Sequence, residues 1–238
     1  MNDNRPLQRM FMAVPPRYDL INRIFTLGMD KKWRDKATLK CLSARPHVFL
    51  DICCGTGDLS VNVARMASQE VSIMGIDYSQ PMLEKAVEKS KEVTARVNFN
   101  LIQGDSSALP LNDESIDCAG ISFAFRNMTY KNPLRQKHIA EVFRVLRKGG
   151  RYVIVESSQP ESKFIRIFFH LYVRTFVFWI GYLISGNKGA YKYLVESVAD
   201  FYTPVQIKEM LINAGFSEVE YQPLFFGASG IHVASKAG

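Results

Sequence analysis

The chain has 238 residues, 47% hydrophobic and 22% charged, which suits one α/β domain with a substantial core and excludes a disordered or low-complexity protein. Its net charge of +7, from 30 basic and 23 acidic residues, is spread without a run of five Lys/Arg or a basic tail, so nothing beyond the total points to nucleic acid. Four cysteines (Cys41, Cys53, Cys54, Cys118) lack CxxC spacing and His partners, so buried thiols and no metal are expected.

Met1 leads into the polar stretch Asn2-Asp3-Asn4-Arg5-Pro6, with no apolar signal core, which gives a cytoplasmic expectation. Residues 1–45 stand outside the pattern that follows and read as an N-terminal helical lid or substrate segment. Residues 48–52 form a short apolar run ending in a Gly-rich turn, and residues 59–66 follow with helical spacing. A second strand is expected at 71–76, then a helix opened by Ser79 and Pro81. Third and fourth strands are expected at 97–102 and 116–123. Residues 135–148 carry Ile139, Val142, Phe143, Val145 and Leu146 on one face, and Gly149-Gly150 reads as the helix stop. A fifth strand follows at 152–155. Residues 160–200 form a second piece outside the alternation, a helical insertion. Thr203-Pro204-Val205-Gln206 offers a capping box, Ala214-Gly215 closes that helix, and strands at 219–224 and 231–234 finish the chain. Alternation of this kind predicts a Rossmann-like α/β fold. Its sheet is mostly parallel with helices on both faces, and its ligands lie beyond the carboxyl ends of the strands.

The segment Asp51-Ile52-Cys53-Cys54-Gly55-Thr56-Gly57-Asp58 joins the first strand to the first helix. Its small residues let backbone approach a ligand, and Asp77, ending the second strand, suits the two hydroxyls of a ribose. Ser60 replaces the third glycine of the dinucleotide pattern. Asp51 and Asp58 flank the loop with negative charge, a poor neighbour for pyrophosphate and a good one for a sulfonium and an α-ammonium group.

With the third-strand Gly104-Asp105-Ser106 included, the chain resembles the class I S-adenosylmethionine methyltransferases. The resemblance implies that cofactor, an antiparallel C-terminal strand, and adenine contacts at Asp105 and Ser106. Asp51, Gly55, Thr56, Gly57, Asp58, Asp77, Tyr78 and Ser122 complete the cofactor-binding candidates. A closer resemblance rests on Tyr18-Asp19-Leu20-Ile21-Asn22 followed by Trp33, on Arg144-Val145-Leu146-Arg147-Lys148-Gly149-Gly150 running to Glu156-Ser157-Ser158, and on Ile121 to Asn127. Tyr193 to Val198 and His232 add to it. These segments are similar to the ubiquinone/menaquinone biosynthesis C-methyltransferases. The sequence departs from that pattern at Asp30, where a histidine is common, at Lys148 in place of proline, and at Val233-Ala234 in place of Arg-Gly.

The resemblance implies methylation of a polyprenyl quinol, either demethylmenaquinol or a ubiquinone precursor. An aromatic carbon accepts a methyl only when its ring is electron-rich, as when a neighbouring hydroxyl is deprotonated, so alignment and charge placement dominate. Arg126 is the first candidate to stabilise the phenolate and Asn127 to fix a quinol hydroxyl, with His232 and Tyr18 secondary candidates for orientation or proton transfer. Glu156 reads as an ion-pair partner.

In residues 163–184, Lys163, Arg166, His170 and Arg174 recur at helical spacing as one polar stripe on an otherwise aromatic and aliphatic segment. The charges argue against a span and for an amphipathic helix in the membrane interface or along a prenyl-tail channel. Packing on the core or on the second subunit of a homodimer is the alternative. Other functions compatible with the same loop are O- or N-methylation of a soluble small molecule, transfer of an amino group to a quinone, and non-enzymatic binding.

Overall fold

The computed structural model describes residues 23–93, 97–185 and 188–238. Tyr18 and the motif around it lie outside the described residues.

Seven strands form one sheet: β1 (Val48–Ile52), β2 (Ser72–Asp77), β3 (Asn98–Gln103), β4 (Ile116–Ser122), β5 (Leu146–Ser157), β6 (Glu218–Leu224) and β7 (Ser229–Ser235). Their order is β3-β2-β1-β4-β5-β7-β6. The first five run parallel, and β7 lies antiparallel between β5 and β6. The order reverses between β1 and β4, so a crevice is expected beyond their carboxyl ends.

The central strands are mostly apolar because both faces are covered. Successive residues point to opposite faces, so Leu50, Ile121, Tyr152 and Ile154 pack on one side with Ile139 and Val142 of α5 (Arg135–Val145) and Ile207 and Leu211 of α9 (Pro204–Asn213). Phe49, Cys118, Val153 and Val155 pack on the other with Trp33 and Cys41 of α1 (Asp30–Leu42) and Leu59 and Val63 of α2 (Asp58–Met66). Helix α3 (Gln80–Ser90) flanks β2 and β3, and short α4 (Phe125–Thr129) follows β4.

Helix α5 ends at Val145, three residues before the expected limit, and β5 starts at Leu146. Leu146 pairs with Ile116 and Arg151 with Cys118, so the intervening residues form an irregularity in the strand. The Lys236 Nζ donates to the carbonyls of Phe143 (3.0 Å) and Leu146 (2.7 Å), closing the helix end from another part of the chain. Gly149, at φ 73°, therefore turns within the strand and does not stop the helix.

The insertion comprises α6 (Lys163–Tyr172), one wide turn at Val173–Val177, α7 (Phe178–Ser185) and returning α8 (Lys188–Ala199). Val173, Val177 and Val195 form a small core with Phe25 and Tyr172, whose hydroxyl donates to the Phe25 carbonyl at 3.0 Å. At its centre the polar stripe turns toward the body of the protein. Arg166 donates to the carbonyls of Pro160 (2.9 Å) and Glu161 (3.1 Å), and His170 Nε2 meets Gln159 Oε1 at 2.9 Å. Those residues neutralise backbone and amide acceptors of the preceding loop, which faces the body. Phe164, Ile167, Phe168, Leu171, Trp179 and Leu183 face outward instead.

Candidate active site

The chain leaves β1 through a loop in which Cys53, Gly55 and Gly57 have φ of 52°, 54° and 79°. Glycine takes this conformation without strain; Cys53 does not. A side chain at Gly55 would meet nothing within 4 Å, so the backbone there borders open space. At Gly57 a Cβ would lie 3.0 Å from that of Ala86, so this glycine lets α2 approach α3.

Asp77 ties the loop to β2. Its Oδ2 accepts from Gly55 N–H and its Oδ1 from Ser79 N–H, both at 2.8 Å. Burial raises its pKa, and these hydrogen bonds oppose the rise. The Tyr78 backbone N–H acts in the same sense, and the carboxylate's about four acceptor sites leave room for an outside donor. Asp51 is fully buried, and its Oδ2 accepts from Ser60 N–H (3.0 Å) and Ser60 Oγ–H (2.6 Å). Burial pushes its pKa up to about 7, against the Ser60 hydrogen bonds. The residue replacing the dinucleotide pattern's third glycine thus anchors the loop carboxylate.

Asp58 flanks the loop as expected, with its charge balanced by two cations. Its carboxylate pairs with Lys89 at 2.7 Å and Arg34 at 3.3 Å. Lys89 also donates to Thr56 Oγ1 at 2.7 Å, so the Thr56 hydroxyl is held from the α3 side. Arg34 pairs in turn with buried Asp30, the residue standing where the family pattern has histidine. A chain of alternating charges therefore links α1 to the back of the loop. Asp105 is exposed, and its Oδ1 accepts from Ser107 N–H at 2.8 Å, while the hydroxyl of buried Ser106 meets His138 Nδ1 at 3.0 Å. Tyr78 is exposed beside Asp77.

The carboxyl ends of β4 and β5 carry the other candidates. The Ser122 hydroxyl is buried without a hydrogen-bond partner. Phe123 follows at φ 57°, a strained value for a bulky residue, and packs against Trp33, giving that tryptophan the role of a packing anchor. Arg126 is buried at 5% exposure, its backbone N–H donating to Glu156 Oε2 at 3.0 Å. Its Nη1 bonds Asn127 Oδ1 (3.3 Å) and Ser197 Oγ of α8, and its Nε lies 3.9 Å from Glu156 Oε1 with no hydrogen bond of its own. Glu156 is the ion-pair partner its place at a strand end suggested.

His232 lies in β7 opposite Ile154 and Tyr221, under the Tyr221 ring at 4.7 Å between centroids. Neither ring nitrogen is hydrogen-bonded; burial pushes its pKa down to about 4, the Pro204 backbone opposing. It is a neutral imidazole at physiological pH and makes no hydrogen bond to Arg126.

Two contributors escaped the sequence reading. His138 reaches Ser106 from α5, and its Nε2 lies 3.5 Å from the Asn132 amide, which donates to the Asn127 carbonyl at 3.4 Å. Lys89 approaches from α3. Their only sequence signal was a polar residue on a partly apolar helix, which many surface positions share. Ser197, which approaches from the insertion, lies in the family-like segment Tyr193 to Val198 but was given no role there.

Residues 1–236 match the ubiE/COQ5 methyltransferase family. The chain belongs to that family. It is 38% identical to a demethylmenaquinone methyltransferase of Thermus thermophilus over 227 residues, covering 95% of this chain and 100% of the relative. With a Thermotoga maritima protein of the same description the identity is 39%, over 94% of this chain and 93% of the relative. A ubiquinone/menaquinone biosynthesis C-methyltransferase of Geotalea daltonii is 33% identical, over 97% and 96%. In fold the chain resembles the magnesium protoporphyrin IX methyltransferase of Synechocystis PCC 6803, solved with bound SAM. The TM-score is 0.65 at 15% identity, over 100% of this chain and 98% of that one. The ubiE/COQ5 family member described here is thus a methyltransferase with the class I architecture.

Proposed function

We propose that the protein is an S-adenosylmethionine-dependent C-methyltransferase of a polyprenyl quinol, working at a lipid surface. The observation that carries the acceptor assignment is Arg126: a buried guanidinium held by Glu156 and Ser197, with Nε making no hydrogen bond, at the carboxyl end of the sheet. The names of the relatives support the quinol. In this reading Asp77 takes the ribose hydroxyls, the backbone at Gly55 borders the cofactor, Asp51 faces its cationic end, and Asp105, Ser106 and Tyr78 bound the adenine. Bound there, S-adenosylmethionine supplies an electrophilic methyl group.

Arg126 then holds the quinol oxygen as it loses its proton to water, leaving the ring electron-rich. A methyl–carbon bond forms as the methyl–sulfur bond breaks. Loss of the ring proton and return of a proton to the oxygen restore the quinol, with one proton released overall. A buried guanidinium favours the ionised oxygen strongly because little water screens it, and it does not itself act as base. In this reading Asn127, held on Arg126 Nη1, receives a quinol hydroxyl.

The outward face of α6 and α7 supports the lipid location. The run Lys163–Leu183 is long and apolar enough by composition to cross a membrane, and only 17% of its apolar 18-residue stretch is buried. Its inner side packs on α8 and holds Arg166 and His170 against the loop, so we place it flat on a bilayer with the aromatic side down. The decisive assay is methyl transfer to a short-tailed demethylnaphthoquinol and to a benzoquinol precursor, read by mass spectrometry as a gain of one methyl on carbon. Methylation of neither ring, with turnover of a soluble phenol or amine, overturns the proposal.

A further inference from the structure

Helix α8 carries Tyr193 one turn before Ser197, on the same side of the helix. Ser197 donates to the Leu194 carbonyl and accepts from Arg126 Nη1, which fixes that side against the guanidinium. The Tyr193 hydroxyl is closed off from solvent and has no hydrogen-bond partner. Arg126 Nε and Ser122 Oγ are in the same condition, both near the carboxyl end of β4. Buried polar atoms without partners are uncommon and costly, and several of them on elements that meet at one end of the sheet mark atoms that a ligand satisfies. Burial raises the Tyr193 pKa, Arg126 opposes the rise, and Tyr130 and Glu156 add to it, so the phenol keeps its proton and is a donor.

We propose that Tyr193 donates a hydrogen bond to the ring oxygen of the acceptor, beside Arg126, and so helps hold that oxygen ionised before the methyl arrives. This rests on the quinol reading above. Two donors from different elements, α4 and α8, would fix both the charge and the plane of the ring, and the insertion would thereby complete the chemical site besides covering it. The proton stays on Tyr193 throughout, so no further acid or base is required.

The test is Tyr193→Phe, which keeps the ring and removes only the hydroxyl. Turnover of a short-tailed demethylnaphthoquinol at saturating S-adenosylmethionine is measured from pH 6 to 10, with cofactor affinity by calorimetry and thermal unfolding alongside. A hydrogen bond to a charged oxygen predicts a kcat lower by about tenfold to a hundredfold near neutrality. The deficit should shrink at alkaline pH, where the ring ionises without help, and cofactor affinity and Tm should be unchanged. A kcat within about twofold of the parent at neutrality overturns the inference. So does a deficit that is equal at every pH, or a lower Tm, since either means the hydroxyl has a structural role. If the parent itself methylates no quinol, the functional reading falls and this inference falls with it; if the parent is active and the variant matches it, only the inference falls.

Discussion

At the scale of single residues, two carboxylates at strand ends have different tasks because their surroundings differ. Asp77 keeps acceptor capacity after binding Gly55 and Ser79, so Asp77→Ala should weaken S-adenosylmethionine binding at least about tenfold in calorimetry, through lost charge-assisted hydrogen bonds. Unchanged affinity would remove it from the site. Asp51, raised to about 7 by burial, is half-protonated near neutrality, and a cation brought beside it favours the ionised form. Cofactor affinity should therefore rise with pH through about 7, and Asp51→Asn should abolish that dependence. For stability the sign is opposite. The folded pKa lies above the unfolded one, so the stability tied to this group is full below the unfolded value and is lost as pH rises through about 7. Asp51→Asn should thus raise Tm relative to the parent more at pH 8 than at pH 5, while binding suffers. A Tm difference that is flat with pH would mean that Asp51 is ionised throughout. Arg126→Ala should lower turnover by about a hundredfold or more with little change in cofactor affinity, the pattern of a group acting on the transition state. Near-normal kcat at saturating quinol would exclude that role.

At the scale of elements, α8 links the insertion to the acceptor side, since Ser197 holds Arg126 while the other end of the helix packs on α7. That packing depends on Gly181: a Cβ there would lie 2.1 Å from the Tyr191 ring. Gly181→Ala should push α7 from α8, cost about 1–3 kcal/mol of stability, and reduce kcat through the displaced Ser197. A variant with parental Tm and kcat would show that the two helices adjust freely. The alternating strands and helices were legible because the parallel sheet is apolar on both faces and its turns are rich in Gly and Pro. Thr203 and Gln206 form the expected reciprocal cap, at 2.9 and 3.3 Å. The end of α5 was not legible, because it is closed by Lys236 from the end of the chain and not by its local glycines. The glycine loop and Asp77 could be read from spacing alone, being local in sequence. The charge chain Asp30–Arg34–Asp58–Lys89 and the Arg126–Ser197 contact join residues separated by tens of positions, so only the fold reveals them. The period of the polar stripe was legible and its direction was not, because periodicity places residues on one face without saying what that face meets.

At the scale of the whole molecule, that direction changes what attracts the protein to lipid. With Arg166 and His170 turned inward, Lys163 and Arg174 are the stripe's exposed cations, each worth about 1 kcal/mol at an anionic surface. Phe164, Phe168 and Trp179 are 70%, 56% and 58% exposed, and full burial of a side chain of this kind is worth about 1.5–3 kcal/mol. The apolar term exceeds the electrostatic one even if each ring is only half buried in the bilayer. Replacing Phe164, Phe168 and Trp179 by Ser should therefore lower partitioning onto vesicles by about a hundredfold, for neutral as for anionic lipid. Replacing Lys163 and Arg174 by Gln should lower it about tenfold to thirtyfold on anionic vesicles only, and added salt should reproduce that smaller loss on the parent. Turnover of a short-tailed, water-soluble quinol should survive both sets, since neither touches the glycine loop, Asp77 or Arg126. If the aromatic triple variant floats with vesicles as its parent does, the face is not a lipid contact. If it changes sedimentation from dimer to monomer instead, a second copy of the chain covers those rings, and the quinol tail reaches Arg126 by another path.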